Sequence, residues 1–190
     1  MSGLAIGRRG RHPGAMSTTH LVGHRGHPAR HPENSIAGLA SAAEAGARFV
    51  EIDLQSSADG TLWLFHDPGL LRLCGRPGKI GETTDERLTQ LELLALPGGR
   101  PEPLATLRDF AAWLRGAPEG LTAFVEVKPD VVQAHGPAQT LRKVQDDLGE
   151  VASRCVLISF ALPLLAEARR ASSFPIAPIL VEWAQQESAE

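Results

Sequence analysis

Short apolar runs that end in polar residues alternate, along most of this chain, with stretches whose apolar residues recur at helical spacing. Leu21-Val22-Gly23 runs into His24-Arg25-Gly26, and Ile36, Leu39, Ala40 and Ala43 then follow at helical intervals behind a cap at Asn34 or Ser35. Phe49 to Leu54 alternates as a strand, and Thr61 to His66 forms another. Such alternation predicts a parallel sheet with helices packed outside it. A closed barrel and an open doubly wound sheet both satisfy the pattern. No Gly-rich phosphate loop follows the first strand, which weighs against the dinucleotide-binding open sheet. His24, Asp53, His66, Lys128 and Ser159 all fall at expected C-terminal strand ends, where a barrel keeps its active site. The expected fold class is therefore α/β, a TIM-type (β/α) barrel.

The rest of the chain fits that alternation. Asp67 to Gly81 reads as loop, and Thr84 opens a short helix carrying Leu88 and Leu91. Thr106 caps a helix with Leu107, Phe110, Ala111 and Leu114 on one face, and Leu121 to Lys128 is a strand stopped by Pro129. A helix follows over 138–149, then a buried strand from Val156 to Phe160. A helix with Leu162, Leu165 and Ala166 comes next, and a last strand runs from Ile176 to Val181. Residues 1–18, rich in Gly, Arg and Ser, read as a disordered extension, leaving one domain over 19–190.

Composition excludes some functions. With 19 basic and 22 acidic residues the net charge is −3, so nothing points to a nucleic-acid partner. The longest apolar runs fall far short of the ~20 residues that span a bilayer. The arginines near the N-terminus have no apolar stretch behind them, so no secretory signal is read and the expected location is cytoplasmic. Cys74 and Cys155 offer neither a disulfide framework nor metal-ligand spacing.

The chemistry gathers on two strands. Glu51 and Asp53 are two apart, so both point to one side of their strand. On a buried face two carboxylates repel and lose hydration, and at least one is driven neutral unless a cation joins them. Spacing alone leaves two readings open, a hard divalent metal held through oxygen and an exposed edge strand with its charges in water. Glu126 and Lys128 repeat the pattern; a third carboxylate completes a site for Mg²⁺ or Ca²⁺, whereas a surface Glu–Lys pair contributes little. His24 and His66 end apolar strands, and a lone histidine there is more often structural than catalytic. Beside three carboxylates and two cations, they suit proton transfer near neutral pH. Arg25 and Lys128 supply positive charge for a phosphate. Asp67, ahead of Pro68, is free to orient His66 or its loop, and His27 is read as a bystander.

His24-Arg25-Gly26, Pro32-Glu33-Asn34-Ser35, Glu51-Ile52-Asp53, Phe65-His66-Asp67 and Glu126-Val127-Lys128 occur in that order. They resemble the HRG, PENS/T, ELD, FHD and EIK motifs of the glycerophosphodiester phosphodiesterases, and the resemblance extends from about His20 to Trp183. It implies a TIM-type barrel that hydrolyses a small-molecule phosphodiester to glycerol 3-phosphate and an alcohol. By that resemblance Glu51, Asp53 and Glu126 hold the divalent cation, Mg²⁺ or Ca²⁺. His24 and His66 act as acid and base, while Arg25 and Lys128 hold the phosphate. Glu33 and Asn34 organise the adjoining loop and helix. A substrate hydroxyl attacks phosphorus first, and water then opens the cyclic phosphate.

Two departures stand out. Ala161 follows Ser159-Phe160 where the family usually has Asp, which is read as the loss of a loop or substrate contact. The family's last strands have no counterpart before Glu190: about six of the eight strands of a closed barrel are found, in 190 residues against the ~250 typical of such barrels. An open barrel exposes strand edges through which chains self-associate. Two alternatives to a fully active hydrolase follow, an inactive or weakly active fragment and a related sphingomyelinase D-type phospholipase. The alcohol on the far side of the phosphate is not encoded in any of these motifs.

Overall fold

The computed structural model describes residues 21–180. The extension expected over 1–18, and the end of the expected last strand and Trp183 beyond residue 180, lie outside them.

In chain order the elements are β1 (Val22–His24), α1 (Ile36–Glu44), β2 (Phe49–Ser56), β3 (Leu62–Leu64), α2 (Leu71–Cys74) and α3 (Asp85–Leu88). Then come β4 (Glu92–Leu93), β5 (Glu102–Pro103), α4 (Leu107–Gly116), β6 (Thr122–Val127) and α5 (Pro129–His135). The last are α6 (Pro137–Leu148), β7 (Cys155–Ser159), α7 (Leu162–Ala171) and β8 (Ile176–Pro178).

Six strands share one sheet in the order β1-β2-β6-β7-β8, with β3 also pairing β2. All the pairings are parallel except that of β3. This is the expected α/β architecture with helices between parallel strands. Among the described residues β1 pairs only β2 and β8 only β7, so the sheet is open there.

β3 is a correction. The expected barrel strand from Thr61 to His66 is a three-residue antiparallel strand whose Leu64 faces Leu54. Leu54 also faces Val127 of β6, so β3 lies on the edge of β2 that β1 occupies lower down. His66 therefore sits past the end of a returning strand, and Asp53 lies inside β2 rather than at its end. Hydrophobic alternation specifies a strand but not its direction.

The chain's polar punctuation works as expected. Ser35 caps α1 by accepting from the Gly38 amide, and Gly46 leaves that helix with φ +90°. Thr106 and Asp109 form a reciprocal capping box on α4. Four elements went unexpected: α2 lies inside the stretch read as loop, β4 and β5 fall between the Thr84 and Thr106 helices where no strand was expected, and α5 begins at Pro129, which was read only as a stop. Proline at a first helical position lacks just the amide that would be unpaired anyway, so it starts a helix as readily as it ends a strand. In α7 the buried face is Leu164, Leu165 and Ala168, while Leu162 and Ala166 face out.

Two apolar clusters carry the fold. One joins the sheet to α1, α4, α6 and α7 through Leu39, Ile52, Phe110, Val125, Val144 and Leu164. The other packs Phe65, Leu73, Ile80, Leu88 and Leu93 beneath the excursion between β3 and α4. β2 crosses the sheet with Val50, Ile52 and Leu54 in the first cluster, which turns Glu51, Asp53 and Gln55 together to the opposite face.

Candidate active site

Register assembles the site. In β1–β2 His24 pairs with Glu51, and in β2–β6 Asp53 pairs with Glu126. Glu51, Asp53 and Glu126 are all buried, and one oxygen from each lies within 4.8 Å of the others. Two cations meet them. Lys128 Nζ is 2.6 Å from Asp53 Oδ1 and 2.5 Å from Glu126 Oε1, and Arg25 Nε is 2.9 Å from Asp53 Oδ2.

Three acidic groups against two cations leave one in excess, and it is Glu51. Its Oε2 accepts a hydrogen bond from the Arg25 backbone amide at 3.1 Å, but its Oε1 is buried with no hydrogen-bond partner. Burial first, then the charges of Asp53 and Glu126, push its carboxyl from the ordinary value near 4.5 up to about 8, against the pull of the Arg25 amide. An orphaned buried carboxylate oxygen beside two more carboxylates suits a hard divalent cation, whose charge would hold all three ionised. The residues present fit such an ion.

Backbone conformation aims these groups. Arg25 has φ +57°, a left-handed value costly for a side chain of that size, of order 1–3 kcal/mol. That turn points both its amide and its guanidinium at the carboxylates. Gly26 follows at φ +94°, where an added Cβ would lie 2.8 Å from the Gly38 backbone, so the loop can pass against α1 only as glycine. Asn34, fully buried at φ +59°, donates from Nδ2 to Asp53 Oδ2 at 2.9 Å and accepts the Asp53 amide at Oδ1.

The histidines differ. His24 Nε2 is 3.7 Å from Glu51 Oε2, with its side chain 68% exposed. His66 stands apart from that contact: its Nδ1 is 2.8 Å from Asp67 Oδ1, and its carbonyl accepts from Gln55 Nε2 at 3.2 Å. Glu33 bonds Arg25 Nη1 at 3.0 Å. Ser159, expected at a C-terminal strand end, ends β7 and ties it to β6 by donating to the Val127 carbonyl, while its hydroxyl accepts the Ala161 amide. His27 Nδ1 lies 3.0 Å from Ser41 Oγ of α1. His135 ends α5.

Sequence reasoning missed two polar residues here. Gln55 continues the alternating face of Glu51 and Asp53, and the period of two could have found it. Arg72 bridges Glu33 and Asp67, separated from them by 39 and 5 residues, and nothing in its spacing announces that.

The glycerophosphoryl diester phosphodiesterase family model matches residues 24–189 of this sequence. The chain belongs to this family. Among characterised relatives, human glycerophosphodiester phosphodiesterase 1 is 29% identical over 153 residues, covering 78% of this chain and 45% of its own length. The chain thus spans less than half the length of that relative. The solved structure of a phosphodiesterase from Oleispira antarctica, in complex with the product sn-glycerol-3-phosphate, superposes with a TM-score of 0.70 at 24% identity, covering 90% of this chain and 71% of that one. The glycerophosphodiester phosphodiesterase of Thermotoga maritima superposes with a TM-score of 0.64 at 25% identity, covering 87% and 64%. These likenesses bear out the barrel-type fold of this family member. Among the described residues no helix is long and apolar enough to cross a membrane.

Proposed function

We propose that this chain hydrolyses glycerophosphodiesters to glycerol 3-phosphate and an alcohol, with Glu51, Asp53 and Glu126 holding a divalent cation, Mg²⁺ or Ca²⁺. The observation that carries the reading is the buried carboxylate cluster with its unpartnered Glu51 oxygen, in a chain of this family. When bound, the cation supplies charge stabilisation at the phosphoryl oxygens. Arg25 and Lys128, already at the carboxylates, present positive charge to the phosphate. His24 and His66 form the acid–base pair. One imidazole takes the proton of the attacking glycerol hydroxyl while the other protonates the departing alcohol oxygen, which yields a cyclic phosphate. The pair then acts in reverse as water opens the ring. The exposure of His24 suits a group that meets substrate from solvent. Glycerol 3-phosphate as product is supported by its presence in the Oleispira antarctica enzyme.

Two buried free cysteines, Cys74 and Cys155, accord with a reducing compartment, and a cytoplasmic location forms part of this proposal. Among the described residues β1 and β8 are open edges of the sheet, which favours a second reading in which this chain by itself turns over weakly.

The test is product analysis by ³¹P NMR with divalent metal present. Conversion of glycerophosphocholine to glycerol 3-phosphate, with sphingomyelin untouched, supports the proposal. Release of ceramide phosphate from sphingomyelin instead would assign the chain to the phospholipase class.

A further inference from the structure

Arg72 sits at the start of the four-residue helix α2, between exposed Leu71 and buried Leu73 and Cys74. Leu73 and Cys74 are anchored in the second apolar cluster beside Phe65, the residue before His66. Gly75, at φ +64°, ends the helix. Arg72's backbone is therefore fixed relative to the His66–Asp67 pair by packing.

Its guanidinium uses all of its nitrogens. Nε and Nη2 grip Asp67 at 2.6 and 2.7 Å, while Nη1 and Nη2 grip Glu33 at 2.8 and 2.9 Å. Glu33 in turn bonds Arg25, whose Nε lies against Asp53. Asp67 Oδ1 accepts from His66 Nδ1, 2.8 Å away. An unbroken path of charge-assisted contacts thus joins Asp53 of the carboxylate cluster to His66, and Arg72 is the link between its two halves.

We infer that Arg72 is a positioning residue: its two-carboxylate grip holds Asp67 against His66 Nδ1 and so fixes His66 as the Nδ1–H tautomer, with Nε2 carrying the free lone pair. An ionised carboxylate can only accept, so the hydrogen of that contact belongs to the imidazole. The Arg72 hydrogen bonds are also the largest cause holding the Asp67 carboxyl down at about 2, so Asp67 is ionised near neutral pH. A neighbouring carboxylate that selects the tautomer of an imidazole is a recurrent way of presenting its other nitrogen to a reacting group. The fork requires arginine, because an ammonium is a single point that cannot hold both oxygens of two carboxylates.

The consequence for turnover rests on the phosphodiesterase reading, whereas the tautomer does not. The experiment is ¹⁵N–¹H NMR of the full chain labelled at histidine, with the His66 signals assigned by their loss in His66→Gln and read in the neutral imidazole. Wild type should show Nδ1–H. Arg72→Gln and Arg72→Lys should both shift the tautomer ratio about tenfold towards Nε2–H, the loss of one charge-assisted hydrogen bond. Circular dichroism verifies that each variant folds, and the lysine variant, which keeps charge and stem, serves should glutamine not. In the turnover arm both variants should lower kcat by about tenfold to a hundredfold, the cost of a displaced catalytic group, with KM nearly unchanged. An unchanged tautomer ratio in a folded variant overturns the inference, as does a lysine variant that matches wild type. A wild-type chain that turns over no glycerophosphodiester sinks the phosphodiesterase reading and leaves the tautomer measurement to decide the role of Arg72.

Discussion

Asp53 and Glu126 face each other directly across the β2–β6 pair, and Lys128 Nζ contacts an oxygen of each. Parallel register makes that meeting unavoidable once both strands carry a carboxylate at that level. The cluster is therefore a product of strand pairing, while loops add Arg25 and Asn34 from above.

Glu51 should make stability depend on pH when no cation is bound. Its folded carboxyl titrates near 8 and its unfolded one near 4.5. The folded chain holds that proton more tightly, so the stabilisation is fully present below about 4.5 and is lost as pH rises towards about 8. Chemical denaturation in the presence of chelator should show the midpoint falling across this window. Glu51→Gln should flatten the fall, and parallel curves for the two proteins would remove Glu51 as its source.

Asn34→Ala should destabilise the fold by about 3 kcal/mol, because it leaves the buried Asp53 amide unpaired and puts a β-carbon residue without a local partner at a left-handed backbone. Urea denaturation measures this. A loss within the error of a surface substitution would show that the Asn34–Asp53 bonds carry little.

His24→Ala and His66→Ala should each lower kcat roughly 10²–10⁴-fold, the usual range for a general acid or base. Stability should barely change for His24, which is largely exposed. Steady-state kinetics checks it, and wild-type turnover in either variant would remove that histidine from the chemistry.

Among the described residues β1 is an edge strand, and it presents Val22 half-exposed beside exposed Leu21. An open strand edge pairs with other chains, so this chain should elute from size exclusion larger than a monomer. Val22→Lys, a charge on that edge, should shift it towards monomer. Monomeric wild type would show that the edge does not recruit a partner.

The carboxylate cluster was legible in the sequence because its logic is one-dimensional. Glu51 and Asp53 alternate with Val50 and Ile52, and Glu126 repeats the pattern among Val125 and Val127. His66 was legible in type but not in placement, since an antiparallel return such as β3 leaves the same alternation as a parallel strand. The helix at Pro129 hid behind a residue that both stops strands and starts helices. Leu162 and Leu164 offered two overlapping apolar stripes in α7, and only packing against the sheet chose between them. Arg72 was invisible because its partners come from different loops, and no local period links an arginine to a glutamate 39 residues away.

Metal dependence tests the central claim most directly. Turnover of glycerophosphocholine is measured after exhaustive chelation and again after stepwise addition of Mg²⁺ or Ca²⁺, in wild type, Glu51→Gln and Asp53→Asn. Chelation should abolish wild-type activity, one of the two cations should restore it, and neither variant should recover at the same concentration. Undiminished activity in excess chelator would contradict the assignment of Glu51, Asp53 and Glu126 as the seat of a catalytic cation.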